Sequence, residues 1–512
     1  MSQFSPSKSN PGNETRTEEK SFRQLLEEFK QSMKRAFYQE HKIDFFCTTR
    51  GLPPEVLKEL MSGNPLALCI PKQYGGFGGS VKDNIAFVSA ASYESLALSL
   101  TLGINNALFI QPVAKYGQES VKPRVFNQFL NNSCMGGLMI TEPNFGSDAL
   151  SMQTSFTEDN GLFHIQGKKH WAGLTGMADF WLLTARKKTD GNMLMRDIDM
   201  FICDVNAPRQ AIVVEEYFEN LGLYQIPYGR NHIDVFVPAE QRLIPNTTGI
   251  QMLLDLLHRS RFQFPGMGLG FIKRILDEAI NHTKSRLVGN KSLSQYDQVQ
   301  HRLTKLQANF TICSAFCLKS GEIAGVENDL SSLGLEANIT KSVTSDMMQE
   351  SAQSLLQLVG AKGYKLNHIA GRSVVDSRPF QIFEGSNDIL YHQIADSVIK
   401  LMRTAKEKSL YQFLKGFTTR AADRIKDLVN FEVEAPLIQR KLVEFGQVIS
   451  RIVSMDLVLY LEESGFRKDL IDNTIIVLKQ EISALLNTFH FENNTRVVED
   501  YDQNSFWLDF SE

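Results

Sequence analysis

Gln381-Ile-Phe-Glu-Gly-Ser-Asn-Asp388 is the segment best suited to removing a proton from a weakly acidic carbon. Glu384 follows an apolar Ile-Phe pair, and taking a carboxylate out of water disfavours its charged form, raises its pKa and strengthens it as a base. Gly385 then permits close approach of backbone to a substrate. The structural alternative makes Glu384 a loop residue before a helix capped by Ser386 or Asn387. A second segment is Met139-Ile-Thr-Glu-Pro-Asn-Phe-Gly-Ser-Asp148. Its Thr141 and Ser147 hydroxyls and flexible Gly146 could bond a polar ring or a phosphate, although an ordinary polar turn has the same composition. Trp171, in His170-Trp-Ala-Gly173, offers a flat surface for a planar cofactor or else fills a core. The six cysteines include no C-x-x-C pair and have mostly apolar neighbours. That suits reduced, buried thiols in a cytosolic compartment and argues against a metal site.

Several folding units must position these residues, since 512 residues exceed what one hydrophobic core usually organises. Residues 1–20 are polar, with no apolar core, and read as a disordered tail rather than a signal peptide. From 21 to 133 the apolar spacing is helical, as in Phe22, Leu25, Leu26 and Phe29, with turn clusters at Pro53-Pro54 and Tyr74 to Gly79. From 134 to 246 come strand-length runs: Leu162 to Gln166, Phe180 to Ala185, Ile198 to Val205, Ala211 to Val214 and His232 to Val237. They predict a small β-domain, a barrel, with the Thr141 loop at its mouth. Helical periods return from 247 to 403, for instance Ile272, Ile275, Leu276, Ala279 and Ile280, as expected of a bundle. Pro265 there lacks a backbone donor and predicts a kink or a helix start. Residues 404–512 read as a helical extension with a loose end from Glu499.

The net charge of -4 comes without a lysine- or arginine-rich tract, so nucleic acid and anionic membranes are not favoured partners. No apolar stretch is expected to reach the roughly eighteen residues that span a bilayer. A cytoplasmic location is the expectation, with membrane-surface association left open to an amphipathic helix.

In this order and spacing the segments resemble the acyl-CoA dehydrogenase family, whose flavin loop reads T-E-P-x-x-G-S-D before a W-I-T-like strand and whose base segment reads Q-I-Y-E-G-T-N-E. Ile70 to Gly78, Leu221-Gly-Leu223 and Val237-Pro-Ala239 are similar to further family turns and strands. The resemblance runs from about residue 40 to 402. It implies an α+β multidomain fold with an N-terminal α-helical domain, a middle β-barrel, a C-terminal four-helix bundle and, here, extra C-terminal helices. It also implies FAD and α,β-dehydrogenation of an acyl thioester, carried by CoA or by acyl-carrier protein, to the trans-2-enoyl product. Glu384 would take the pro-R α-proton while the β-hydride passes to flavin N5, and the thioester oxygen would accept from the Glu384 N–H.

By the same resemblance Leu138, Ile140, Thr141, Gly146, Ser147, Trp171 and Gly173 line the flavin, and Ser386 and Asn387 meet its other side. Arg286, Gln298, Gln357 and Gly360 hold the adenosine and pyrophosphate arm, partly across a subunit interface. Ser147, His258, Arg261 and Gly385 face the substrate. The implied partners are electron-transfer flavoprotein or another electron acceptor, and a second copy in a homodimer or homotetramer. Longer members of the family carry comparable helical extensions, some of which contact membranes. Departures are Gly173 for a threonine at the flavin edge, which leaves backbone or Thr175 to make that contact, and Arg286-Leu-Val-Gly-Asn290 for R-x-x-F-G. His258 stands for an aspartate, Leu138 for an aromatic, Ser260 where some branches carry the base, and Val375-Asp376 for an R-D pair. The alternatives on this fold are a thioester oxidase and an inactive binding or assembly member.

Overall fold

The computed structural model describes residues 21–492 and 495–504. The expected tail at 1–20 and the residues from 505 onward lie outside the described residues. The amino-terminal part is helical and includes α1 (Phe22–Lys34), started by a Ser21–Gln24 capping box, and α2 (Val81–Glu94), started by Ser80 and Asp83 in the same way. These boxes satisfy orphan N–H groups at each helix start.

A helical run then spans Leu96–Tyr116, beginning with α3 (Leu96–Asn105). This run corrects the expectation about membrane spans: by length and hydropathy it could cross a bilayer, yet 94% of its most apolar 18-residue stretch is buried inside the protein. Its polar Ser99, Asn105 and Asn106 side chains all find hydrogen-bond acceptors within the core. It is the wall against which the sheet and the bundle both rest.

Seven strands follow: β1 (Gly136–Met139), β2 (Ser155–Asp159), β3 (Leu162–His170), β4 (Phe180–Lys187), β5 (Asp199–Asp204), β6 (Val213–Tyr217) and β7 (Gly229–Pro238). They make one curled, mixed sheet in the order β1-β4-β2-β3-β7-β6, with β5 also on β4. The long β3–β7 ladder runs from Leu162 opposite Pro238 to His170 opposite Arg230. Alternation buries Phe163, Ile165, Ile233 and Val235 on one face, where Phe156, Phe163 and Phe201 interlock with centroids 4.9 to 5.4 Å apart. The spacing anticipated five of these strands; β1 and β2 it missed.

The carboxy-terminal helices include α4 (Gly249–Arg261), α5 (Phe264–Ser285), α6 (Asp297–Ile323), α7 (Gly334–Val359) and α8 (Asn387–Thr404). Pro265 lies in the first turn of α5, so the helix-start reading is the right one, because a missing N–H costs nothing there.

The extension forms α9 (Gln439–Glu463) and α10 (Lys468–His490), whose apolar stripes, among them Phe445, Ile449, Ile452, Ile471, Leu478 and Ile482, are buried. α9 packs on α8 and α6, and α10 packs on α9 and α6. The approach to α8 is close: a Cβ built on Gly446 would lie 2.0 Å from the Tyr391 carbonyl oxygen. Gly446→Val should therefore push α9 off α8, lowering stability by about 2 to 3 kcal/mol. A denaturant-unfolding midpoint equal to that of the unmodified protein would show that the contact is dispensable.

Candidate active site

Glu384 lies in a turn that leads into α8, with φ of 55° at Glu384 and 93° at Gly385. The second position needs glycine: a side chain there would be strained, and its Cβ would meet Leu390 Cδ2 at 3.0 Å. The first holds a non-glycine residue in the left-handed region, at a cost on the order of 1 to 2 kcal/mol, so the surroundings must enforce it. Three groups do so. Arg261, at the end of α4, donates to the Glu384 carbonyl at 2.7 Å. Lys341, in α7, donates to the Gly385 carbonyl at 2.8 Å and to Asn387 Oδ1 at 2.9 Å. The Ser260 hydroxyl donates to Glu384 Oε1 at 2.6 Å.

Burial pushes the Glu384 carboxyl above its ordinary range, and Ser260, Arg261 and Lys341 pull back against it. Burial likewise drives Lys341 down to about 7, opposed by the charge of Glu384. Glu384 Oε2 is shielded and has no hydrogen-bond partner among the described residues. The Glu384 N–H has no acceptor among them either.

Across a cleft stands the 139–148 loop, shaped from beneath by a buried pair. Glu142 accepts from Lys169 Nζ at 3.0 Å, from Gln153 N at 2.6 Å and from Thr154 N at 2.9 Å. Lys169 also donates to the Ile140 carbonyl and the Thr184 hydroxyl, each at 3.0 Å. Burial works to raise Glu142, but Lys169 and the backbone donors outweigh it and hold the carboxyl below its ordinary value. Burial brings Lys169 down to about 8, against the pull of Glu142. Both are charged at neutral pH, and the loop backbone is tied to β3 and β4.

The cleft between turn and loop encloses about 290 Å³. It collects Leu138, Ile140, Thr141, Gly146, Ser147, Trp171, Gly173, Arg261, Glu384 and Gly385 from the residues singled out in the sequence. Leu100, Ile104 and Leu108 from the 96–116 run and Leu257 from α4 add an apolar wall that no motif announced. Trp171 is half-exposed, its ring 4.5 Å from that of Phe218. The Thr141 and Ser147 hydroxyls have no partner among the described residues. Thr175 is not available to replace the missing threonine at Gly173: it is buried, with its hydroxyl donated to the Ala172 carbonyl at 2.7 Å. The space beside Gly173 is filled by Ile104 and Tyr228 instead, since a Cβ there would meet Ile104 Cδ1 at 2.9 Å.

The other singled-out residues lie elsewhere in the chain. His258 is buried with Nδ1 2.7 Å from the Leu330 carbonyl, outside the cleft. Asn387 turns to α7, donating to Asp346 Oδ1 at 2.6 Å and to the Ser345 hydroxyl at 3.0 Å. Ser386 occupies the cap position of α8 without a capping bond from its side chain. Arg286 is exposed at the end of α5, and Gly360 at the end of α7. Gln298 and Gln357 line a second, polar cavity of about 440 Å³ between α6 and α7, with Arg302, Lys305 and Glu350.

Asp376 is also explained: it accepts from Leu223 N at 2.6 Å and ties the Leu221-Gly-Leu223 turn to the bundle. Burial raises its carboxyl to about 6, opposed by that N–H and by Arg372. Sequence reasoning missed Lys341, Tyr228 and the donor role of Ser260. For Lys341 the signal was a lone lysine whose helix-face neighbours Ala337, Asn338, Thr344 and Ser345 are all uncharged.

Helical domain, curled sheet and bundle meet at one cleft whose wall carries a desolvated carboxylate. Residues 16–133, 137–235 and 247–399 match the N-terminal, middle and C-terminal domain models of acyl-CoA dehydrogenase. The chain is 24% identical to an acyl-CoA dehydrogenase of Bacillus subtilis (strain 168) over 346 residues, 67% of this chain and 88% of that one. It is 25% identical over 342 residues to a short-chain specific acyl-CoA dehydrogenase of Megasphaera elsdenii, 65% of this chain and 87% of that one. The solved structure of an acyl-CoA dehydrogenase complexed with FAD from Bacillus anthracis shares the fold, with a TM-score of 0.71 at 17% identity over 93% of this chain and 88% of that one. The chain belongs to the acyl-CoA dehydrogenase family and is an oxidoreductase acting on CH-CH bonds.

The buried pair beneath the loop sets a test. Glu142→Ala strands Lys169 and two backbone donors, and breaking a buried pair in this way should cost about 3 to 5 kcal/mol in denaturant unfolding. Because the folded carboxyl lies below its ordinary 4.5, its stabilisation is present above that pH and lost as pH falls through the folded value. The gap between wild type and variant should therefore narrow below about pH 4.5; a gap independent of pH would mean the carboxylate charge does not matter.

Proposed function

We propose that this protein carries out FAD-dependent α,β-dehydrogenation of an acyl thioester with Glu384 as the base. The observation that carries the reading is the Glu384 turn: a desolvated carboxylate on the cleft wall, one oxygen without a partner, above an N–H that also has none. A carboxylate in water is too weak a base for the carbon next to a thioester. Desolvation strengthens it, and an N–H aimed at the thioester oxygen stabilises the charge that develops there.

The residues across the cleft fit a flavin. Thr141 and Ser147 have hydroxyls free to bond a ring edge, Leu138 and Ile140 give apolar contact, and Trp171 provides a half-exposed flat surface. FAD, when bound, supplies the acceptor for the β-hydride. Arg261 and Lys341 hold the base turn through its carbonyls, and Leu100, Ile104, Leu108 and Leu257 exclude water from the acyl side. Arg286, Gln298, Gln357 and Gly360 do not line this cleft, so in this reading they serve the cofactor of a second copy in a homodimer or homotetramer. The electron acceptor is electron-transfer flavoprotein or a substitute for it. Cytoplasmic residence belongs to the same reading, with exposed Ile438 and Ile476 of the extension as contacts to a membrane surface.

Mild denaturation should release FAD; release of FMN, or a colourless protein, would instead support the inactive-member reading. Titration with acyl-CoA and acyl-carrier-protein thioesters under anaerobic conditions, then in air, identifies the carrier and separates a dehydrogenase from an oxidase. Glu384→Gln should keep fold and FAD, because the side chains are isosteric, while flavin bleaching by a good thioester slows roughly a hundredfold to ten-thousandfold. The thioester should still perturb the flavin spectrum. Bleaching at the wild-type rate would remove Glu384 from the base role.

A further inference from the structure

Ser260 is nearly fully buried in the last turn of α4, and its hydroxyl donates to Glu384 Oε1 at 2.6 Å. A helical serine commonly returns its hydroxyl to the carbonyl one turn back. Ser342, Ser373, Ser377 and Ser450 all do so in this protein. Ser260 instead reaches across to the base turn, beside the arginine that holds that turn's carbonyl. Resting on the reading of Glu384 as the base, we propose that Ser260 is its positioning residue: the hydroxyl holds the carboxylate in one orientation against the cleft and supplies its side-chain donor.

The charged groups facing the carboxylate do not duplicate this role. Arg261, from the same helix, donates through Nη1 and Nη2 to Asn338 Oδ1 and the Glu384 carbonyl, and its Nε has no partner among the described residues. Lys341, from α7, spends two donors on the Gly385 carbonyl and Asn387 Oδ1. His170 lines the opposite wall of the cleft, and Asp346 lies behind Asn387. Neither donates to Glu384.

A hydroxyl that donates to a carboxylate favours the ionised form, and so opposes the burial that favours the neutral one. Deleting it should raise the Glu384 pKa by about one unit, the size expected for a hydrogen bond to a charged group. Proton removal needs the ionised form, which is lost as pH falls through the folded pKa. The acid limb of the rate profile should therefore move to higher pH.

The test uses the flavin-loaded enzyme and the variants Ser260→Ala, Ser260→Thr and Ser260→Cys. Difference infrared spectroscopy follows the protonated-carboxyl stretch of Glu384, assigned by its absence in Glu384→Gln, while anaerobic flavin reduction by butyryl-CoA and octanoyl-CoA is followed against pH. Expected are an upward shift of about one unit for the Ala variant, a smaller one for Cys, a weaker donor, and a return to wild-type titration for Thr, which keeps the hydroxyl. If the Ala variant loses its flavin, the Cys variant carries the comparison. Glu384 titrating at the wild-type pH in the Ala and Cys variants overturns the proposal. An infrared shift without any movement of the reduction limb sinks the base assignment itself, and with it the catalytic part of the Ser260 role.

Discussion

Desolvation of one carboxylate is the constraint on which the rest of this structure depends. In the proposed role Glu384 acts on a weak carbon acid only if water is kept from it, yet a buried charge without partners would simply take up a proton. The fold reaches a balance by surrounding the turn rather than neutralising it. Arg261 and Lys341 place positive charge nearby while bonding to backbone oxygens, so neither forms a direct ion pair with the carboxylate. A direct pair would hold the carboxylate ionised at the expense of its basicity.

The same surroundings enforce the backbone. A non-glycine residue at φ 55° persists because donors from α4 and α7 converge on consecutive carbonyls, and Gly385 lets the chain turn back into α8. Behind the turn, Asp346 accepts from Gln381, Asn387 and Tyr391, each at 2.6 Å, pinning both ends of the base segment to α7. Lys341 completes this layer, and its burial is tolerable because its donors meet a carbonyl and an amide oxygen.

The carboxy-terminal extension continues the layer outward. Gly446 brings α9 against the backbone of Tyr391, whose hydroxyl bonds Asp346. Arg451 of α9 pairs with Glu481 of α10 at 2.9 Å, and Glu481 lies 3.5 Å from Lys305 on the wall of the polar cavity between α6 and α7. The extension is thus joined by polar contacts and by apolar stripes to the bundle that carries Glu384. On the opposite side, the Glu142–Lys169 pair fixes the loop across the cleft, and the bond from Leu223 N to Asp376 joins sheet to bundle. The Glu384 turn and the loop are therefore built on separate elements and held in register by buried polar links.

The sequence by itself determined the helical, sheet and helical order, five of the seven strands of the sheet, a kink or helix start at Pro265, and the two segments that meet in the cleft. These were legible because apolar periodicity, proline and glycine chemistry, and contiguous motifs are all local. What faces what was not local. Four-residue β1 is buried throughout and shows no alternation, and the 96–116 run looked unremarkable in sequence although its composition would suit a membrane; only packing places it in a core. His258 and Asn387 turned to Leu330 and α7 rather than to the cleft, because side-chain direction follows from neighbours distant in sequence. Lys341 and Ser260 were ordinary polar residues on helices until tertiary structure set them against a turn 44 and 124 residues away. Spacing along a chain reports the face of a helix; which buried charge that face must answer is decided only when the elements pack.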